Sequence, residues 1–274
     1  MPLADRFDGF LIDLDGVVWV GREPVPGSAE ALSSLLEAGK EIAFVTNNPG
    51  RPPAAYAERL RGLGVEAGEE QIVTAGMVAT RMAAAAAGAK GSAFVIGGAP
   101  LKEMVATAGV ALVDGEQGRD AGVVVVSGHR GFDFEELLTA KFALDRGAAL
   151  VATSHDPTLP MPGGDWPGTG SILAAVETAT GCKAEIAGKP ERHLFEMALA
   201  AIGRRSPATS DGGAGPAVER VAMVGDRISS DIEGGRRAGL ETILVLSGAC
   251  TRAEADSAAP APDHVVADLA ALLR

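Results

Sequence analysis

The sequence predicts an α/β protein built on a parallel sheet and carrying a second, smaller domain, and three observations support this. Short apolar runs alternate with helical stretches along the whole chain, and the first three elements read strand, helix, strand. The 274 residues suffice for a core domain with a further domain attached. Hydrophobic residues make up 47% of the chain and aromatics only 4%, so Ala, Val and Leu build the interior.

In chain order, residues 7–13 (FDGFLID) form an apolar run that stops at a carboxylate before Gly16, the pattern of a buried strand delivering polar groups at its C-terminal end. A helix is expected over 27–38, capped by Ser28, with Ala31, Leu32, Leu35 and Leu36 on one face. Residues 41–46 (EIAFVT) form the second strand, which ends at Thr46-Asn47-Asn48. A helix over 52–63 follows, then strands at 92–97, 121–127 and 149–152, each succeeded by an apolar helical stretch. Beyond Thr180-Gly181 come the short segment 184–188, a helix over 192–202, a strand at 220–225 and a last strand at 242–246. Residues 204–218 are rich in Ser, Gly, Pro and Ala without periodicity and read as a surface loop.

Acidic residues number 36 against 24 basic, a net charge of −12, which repels nucleic acid and anionic membranes and favours a small-molecule partner. Cys182 and Cys250 stand far apart with no CxxC pattern, so neither a disulfide framework nor a zinc site is expected, and a reducing compartment fits. The first residues are acidic where a secretory signal is basic, and no run approaches the roughly 20 apolar residues of a membrane span. The expected location is the cytoplasm.

Four segments bear the chemistry. Asp13-Leu14-Asp15-Gly16 sets two carboxylates at the end of an apolar strand, pointing the same way if the strand continues and diverging once the chain turns at Gly16. Val45-Thr46-Asn47-Asn48 brings a hydroxyl, two amides and backbone N–H groups to the next strand end, where they suit phosphoryl oxygens. Gly188-Lys189-Pro190 places a lysine in a turn before a helix, and Asp226 and Asp231 follow the strand ending at Gly225. Taken singly, each reads as well as a turn, a cap or a surface lysine. Taken together, they place two acids, a hydroxyl, a cation and two further acids at predicted strand ends, the edge where parallel α/β sheets bind ligands.

DLDGVVW (13–19), VTNN (45–48), GKP (188–190) and GDRISSDI (225–232) resemble, in order and spacing, the four motifs of the haloacid dehalogenase superfamily. The long interval between VTNN and GKP, and the PGTGSI segment at 167–172, are similar to the class IIA branch of NagD-like and 4-nitrophenyl phosphatase-like enzymes. The resemblance implies a Rossmann-like parallel-sheet core with an inserted α/β cap domain of the C2 type: core 1–77 and 187–274, cap 78–186. It implies an Mg2+-dependent phosphatase acting on a small phosphate ester, with Asp13 as nucleophile and Asp15 as general acid and then base. Thr46 and Lys189 would hold the phosphoryl group, and Asp13, the Asp15 carbonyl, Asp226 and Asp231 would surround the metal. Mg2+, a hard cation, suits such an acid-rich, thiol-free set. A homodimer through the cap is implied by the resemblance alone.

Substrate-binding candidates are Asn47, Asn48, His129, Arg130, His155 and Asp156. The chain departs from the branch in the cap: Thr153-Ser154-His155-Asp156 stands where TNxD is common, and His129 where an aspartate is frequent. These departures bear on the substrate: glycerol phosphate, phosphoglycolate, a nucleoside monophosphate and pyridoxal phosphate all suit the class. A dehalogenase is the competing reaction, but a halide leaves without a proton, and Asp15 is there to supply one. A binding protein without turnover and a phosphotransferase are the other readings.

Overall fold

Apolar runs too short for helices and rich in Val and Ile form the strands. The computed structural model describes residues 1–161, 164–203 and 219–274, so the expected loop at 204–218 lies outside the described residues. Its main strands, in chain order, are β1 (Gly9–Asp13), β2 (Glu41–Thr46), β3 (Ile72–Thr74), β4 (Ser92–Ile96), β5 (Ala111–Leu112), β6 (Val123–Val126), β7 (Ala149–Ala152), β8 (Glu185–Ile186), β9 (Val221–Gly225), β10 (Glu241–Val245) and β11 (His264–Val266). Two compact units result: Met1–Thr46, Pro53–Val73 and Lys189–Arg274 form the first, and Asn47–Pro52 with Thr74–Gly188 form the second.

In the first unit the sheet runs β11-β10-β9-β1-β2-β3, with the five strands from β11 to β2 parallel. Every residue of β1 and of β9 is buried, as expected of central parallel strands covered on both faces. Register sets Ile12 beside Val224 and Asp13 beside Val45, so Asp13, Thr46 and Asp226 leave the sheet at one edge. The helix Ser28–Glu37 buries Ala31, Leu32 and Leu35, and the helix Pro53–Gly62 buries Tyr56, Ala57 and Leu60; both join a core with Phe10, Ile12, Phe44 and Val224. Each fully buried leucine contributes on the order of 1.5–3 kcal/mol.

Two expectations are corrected. Ser28 does not cap the first helix: Gly27 occupies the N-cap position with φ of +79°, and Ser28 Oγ instead donates to the Val18 carbonyl at 2.9 Å. Nor is the strand expected at 242–246 the last, since β11 adds an edge beside it. Three half-buried residues after a proline-rich stretch are too short to show a period.

The second unit holds the parallel sheet β8-β7-β6-β4-β5. Val124, Val126, Leu150 and Ala152 pack there with Ala140 and Leu144 of the helix Phe134–Asp145 and Ile172 and Val176 of the helix Thr169–Thr180. Asn47 and Asn48, assigned with the core by sequence position, group with this unit. Among the described residues no helix is long and apolar enough to cross a membrane.

Candidate active site

The acids gather where the first sheet ends. Asp13 closes β1 and Asp226 follows β9 directly, while Asp231 lies on a single π-helical turn, Ile228–Ile232, which returns its side chain toward the strand end. Asp231 Oδ2 accepts the Arg227 N–H at 2.9 Å. One oxygen from each of Asp13, Asp226 and Asp231 lies within 4.8 Å of the others. Thr46, at the end of β2, is buried beside β1.

Lys189 neutralises part of this charge. Its Nζ stands 2.7 Å from Asp13 Oδ1 and 2.7 Å from Asp231 Oδ1, with the side chain 3% exposed. It does not follow a strand of the first sheet: β8, just before it, pairs with β7 in the second unit, and Lys189 enters the first unit ahead of the helix Arg192–Ala201. Burial alone would push the ammonium down, but the carboxylates of Asp13 and Asp231 more than reverse this and raise it above an ordinary lysine. Burial likewise raises Asp13 well above the usual carboxylate range, against the opposing pull of Lys189 and with Asp231 and Asp226 adding to the rise. Asp226 is pushed up to about 6, by burial first and by Asp231 second.

Asp226 sits in a cradle that admits no larger neighbour. A Cβ at Gly16 or at Gly248 would overlap its carboxylate, and Gly16 also holds φ of +89°, open to glycine without strain. Asp226 Oδ2 accepts the Ala249 N–H at 2.7 Å, whereas its Oδ1 is buried with no hydrogen-bond partner. An orphaned carboxylate oxygen among three acids is costly unless a cation takes it up. The donors are all oxygen, the preference of Mg2+.

β1 ends at Asp13, and Asp15 lies in the turn that follows. Asp15 is exposed at residue level, with Oδ1 accepting the Trp19 indole N–H at 3.0 Å. Protein crowding around its carboxyl raises it above the usual range, opposed by Trp19 and by the charges of Arg59, Lys189 and Arg227.

Sequence reasoning overlooked the turn after β10. Ser247 Oγ donates to the Gly16 carbonyl at 2.8 Å, and Ala249 supplies the N–H to Asp226. The signal was available, since LSGA at 246–249 also follows an apolar strand and contains a glycine.

The remaining candidates lie in the second unit. Asn47 Nδ2 donates to Asp156 Oδ2 at 3.1 Å, which also accepts Ser154 Oγ at 2.5 Å. Asn48 Oδ1 accepts the Gly50 N–H. His129 Nε2 lies 2.8 Å from Glu136 Oε2, and its Nδ1 accepts the Gly131 N–H, so the ring proton sits on Nε2 and both nitrogens are engaged. Arg130 stacks 4.2 Å over Trp166, and His155 is exposed.

Residues 10–111 match the family described as haloacid dehalogenase-like hydrolase, and 186–272 one described as HAD-hydrolase-like. Chronophin of Mus musculus is 39% identical over 259 residues, covering 91% of this chain and 84% of chronophin. The p-nitrophenyl phosphatase from Archaeoglobus fulgidus superposes with a TM-score of 0.85 at 33% identity, covering 97% of this chain and 98% of that one. Glycerol phosphate phosphatase from Mycobacterium tuberculosis, in complex with magnesium, gives a TM-score of 0.86 at 34% identity, covering 100% of this chain and 78% of its own. With its acids, lysine and threonine brought together at one sheet edge, the chain belongs to the haloacid dehalogenase-like hydrolase family.

Proposed function

We propose that the chain is an Mg2+-dependent phosphomonoester hydrolase that transfers the phosphoryl group of a small phosphorylated metabolite to Asp13 and then to water. The observation that carries this reading is the buried lysine bridging Asp13 and Asp231 beside the orphaned oxygen of Asp226. A carboxylate nucleophile must stay charged while a phosphate dianion approaches, and such a cluster of fixed charge serves that end.

In the first step an oxygen of Asp13 bonds to phosphorus while the ester P–O bond breaks, and the Asp15 proton passes to the departing alkoxide to give the alcohol. In the second, Asp15 as carboxylate takes a proton from water, the water oxygen bonds to phosphorus, and the P–O bond to Asp13 breaks. Inorganic phosphate leaves, with Asp13 again a carboxylate and Asp15 again protonated. Thr46 and Lys189 hold the phosphoryl oxygens. Asp13, the Asp15 carbonyl and Asp226 would hold Mg2+, with Asp231 nearby. When bound, the ion offsets the repulsion between nucleophile and substrate.

The names of the relatives favour glycerol phosphate and aryl phosphates as first substrates to try. Asn47, Asn48, His129, Arg130, His155 and Asp156 belong to substrate selection in this reading, in a cytoplasmic enzyme that pairs through its second unit. The test is phosphate release from a panel of small esters with Mg2+, comparing the native protein with Asp13→Asn. Release that requires both Mg2+ and Asp13 is expected; an Asp13→Asn protein that still turns over would refute the nucleophile.

A further inference from the structure

We infer that Trp19 is a positioning residue for Asp15, its indole N–H fixing Oδ1 as a permanent acceptor so that Oδ2 is the oxygen that carries and transfers the proton. This rests on the reading of Asp15 as general acid and base.

The indole nitrogen donates and cannot accept. Its contact with Asp15 Oδ1, at 3.0 Å, therefore suits a carboxylate or the carbonyl oxygen of an acid protonated on Oδ2, and disfavours a proton on Oδ1, whose hydroxyl oxygen would be the poorer acceptor. Asp15 follows the end of β1 as an exposed residue between the buried Leu14 and Gly16, and a carboxyl left to itself there would rotate among rotamers. Trp19 has no such freedom. It is 0% exposed, its ring stacks on Tyr56 at 6.5 Å between centroids and 5° between planes, and the Arg59 guanidinium covers it at 3.8 Å. Arg59 is tied in turn, its Nη2 donating to the Gly21 carbonyl at 2.8 Å. The backbone adds a further clamp: the Gly16 N–H donates to the Trp19 carbonyl at 2.7 Å, and the Val18 and Trp19 N–H groups both donate to the Leu14 carbonyl, at 2.9 and 3.2 Å. A rigid donor on a tied backbone thus orients a carboxyl that would otherwise turn about its own side-chain bonds, the support that precise proton transfer needs.

The inference distinguishes two leaving groups. An alkoxide departs only with a proton, whereas 4-nitrophenolate departs largely without one. Values of kcat/KM report the step in which the leaving group departs. Trp19→Phe should therefore lower kcat/KM for an alkyl ester such as glycerol phosphate by about 10–100-fold, and for 4-nitrophenyl phosphate by a factor of about 3 or less. Benzothienylalanine placed at position 19 keeps the ring shape but has sulfur for the N–H, and it should reproduce the effect even if Trp19→Phe does not fold. Asp15→Asn separates the two layers of the argument. If Asp15→Asn changes the alkyl-to-aryl ratio while neither Trp19 replacement does, the positioning inference is overturned and the general acid stands. If Asp15→Asn leaves the ratio unchanged, the reading of Asp15 fails and the inference falls with it.

Discussion

Replacing Lys189 by Met keeps the length of the side chain and removes its charge, which isolates what the ammonium does. Asp13, Asp226 and Asp231 would then face one another without the ammonium between them, all nearly fully buried. Each ion pair at 2.7 Å has a gross Coulomb energy of about 6 kcal/mol at an effective dielectric constant of 20. Most of that is offset, because the ammonium no longer needs to be desolvated and the acids relax by taking up protons; removing one partner of a buried pair costs about 3–5 kcal/mol in practice. That is a large part of the 5–15 kcal/mol typical of a whole domain. The assay is urea denaturation in EDTA at pH 7.5 and pH 5. A loss of about 3–5 kcal/mol is expected at pH 7.5, shrinking at pH 5, where Asp13 and Asp226, both already raised, are protonated more readily once Lys189 is gone. Saturating Mg2+ should restore part of the loss at pH 7.5. A variant within about 0.5 kcal/mol of native at pH 7.5 in EDTA would show that the lysine does not hold the acids together, and the reasoning would fail.

Asp226, raised to about 6 from an unfolded value near 4, contributes stability while protonated and loses it as pH rises from about 4 to about 6, about 3 kcal/mol in all for the metal-free protein. Mg2+ needs the carboxylate, so its binding releases protons, and the rise in Tm on adding Mg2+ should be larger at pH 7.5 than at pH 5. Gly16→Ala puts a Cβ on Asp226 and strains a φ of +89°; calorimetry should show a loss of more than about 1–2 kcal/mol in EDTA and a smaller response to Mg2+. Thr46→Val removes a buried hydroxyl from the sheet edge and should lower kcat/KM for every phosphate ester by about 100-fold.

The local half of the site was legible in the sequence. Short apolar runs that end at polar residues read as strands, so Asp13, Thr46 and Asp226 could together be set at predicted strand ends before any contact was known. Gly16 signalled the turn that separates Asp15 from Asp13. What escaped depends on pairing between distant segments. Nothing in the residues of β8 says that it adds to β7, so the sheet that the segment before Lys189 joins could not be read from the sequence. Trp19 is a buried packing residue, and a donor at the rim of such a ring is invisible to a hydrophobicity pattern. The turn at 246–249 offers Asp226 a backbone N–H, which no side-chain motif encodes.

Charge explains why these parts belong together. Three carboxylates face one ammonium in a buried cluster, and the mutual repulsion of the acids adds to the burial that displaces Asp13 and Asp226 upward. A divalent cation held by these acids would offset their charge, so that Asp13 stays ionised as a phosphate dianion approaches. A halide leaving group gains nothing from Asp15, whose carboxyl is raised by crowding and therefore keeps its proton more readily than an ordinary aspartic acid. In the proposed mechanism an acid raised in this way, held by an indole N–H on one oxygen, suits the departure of an alkoxide, which favours ester hydrolysis over dehalogenation.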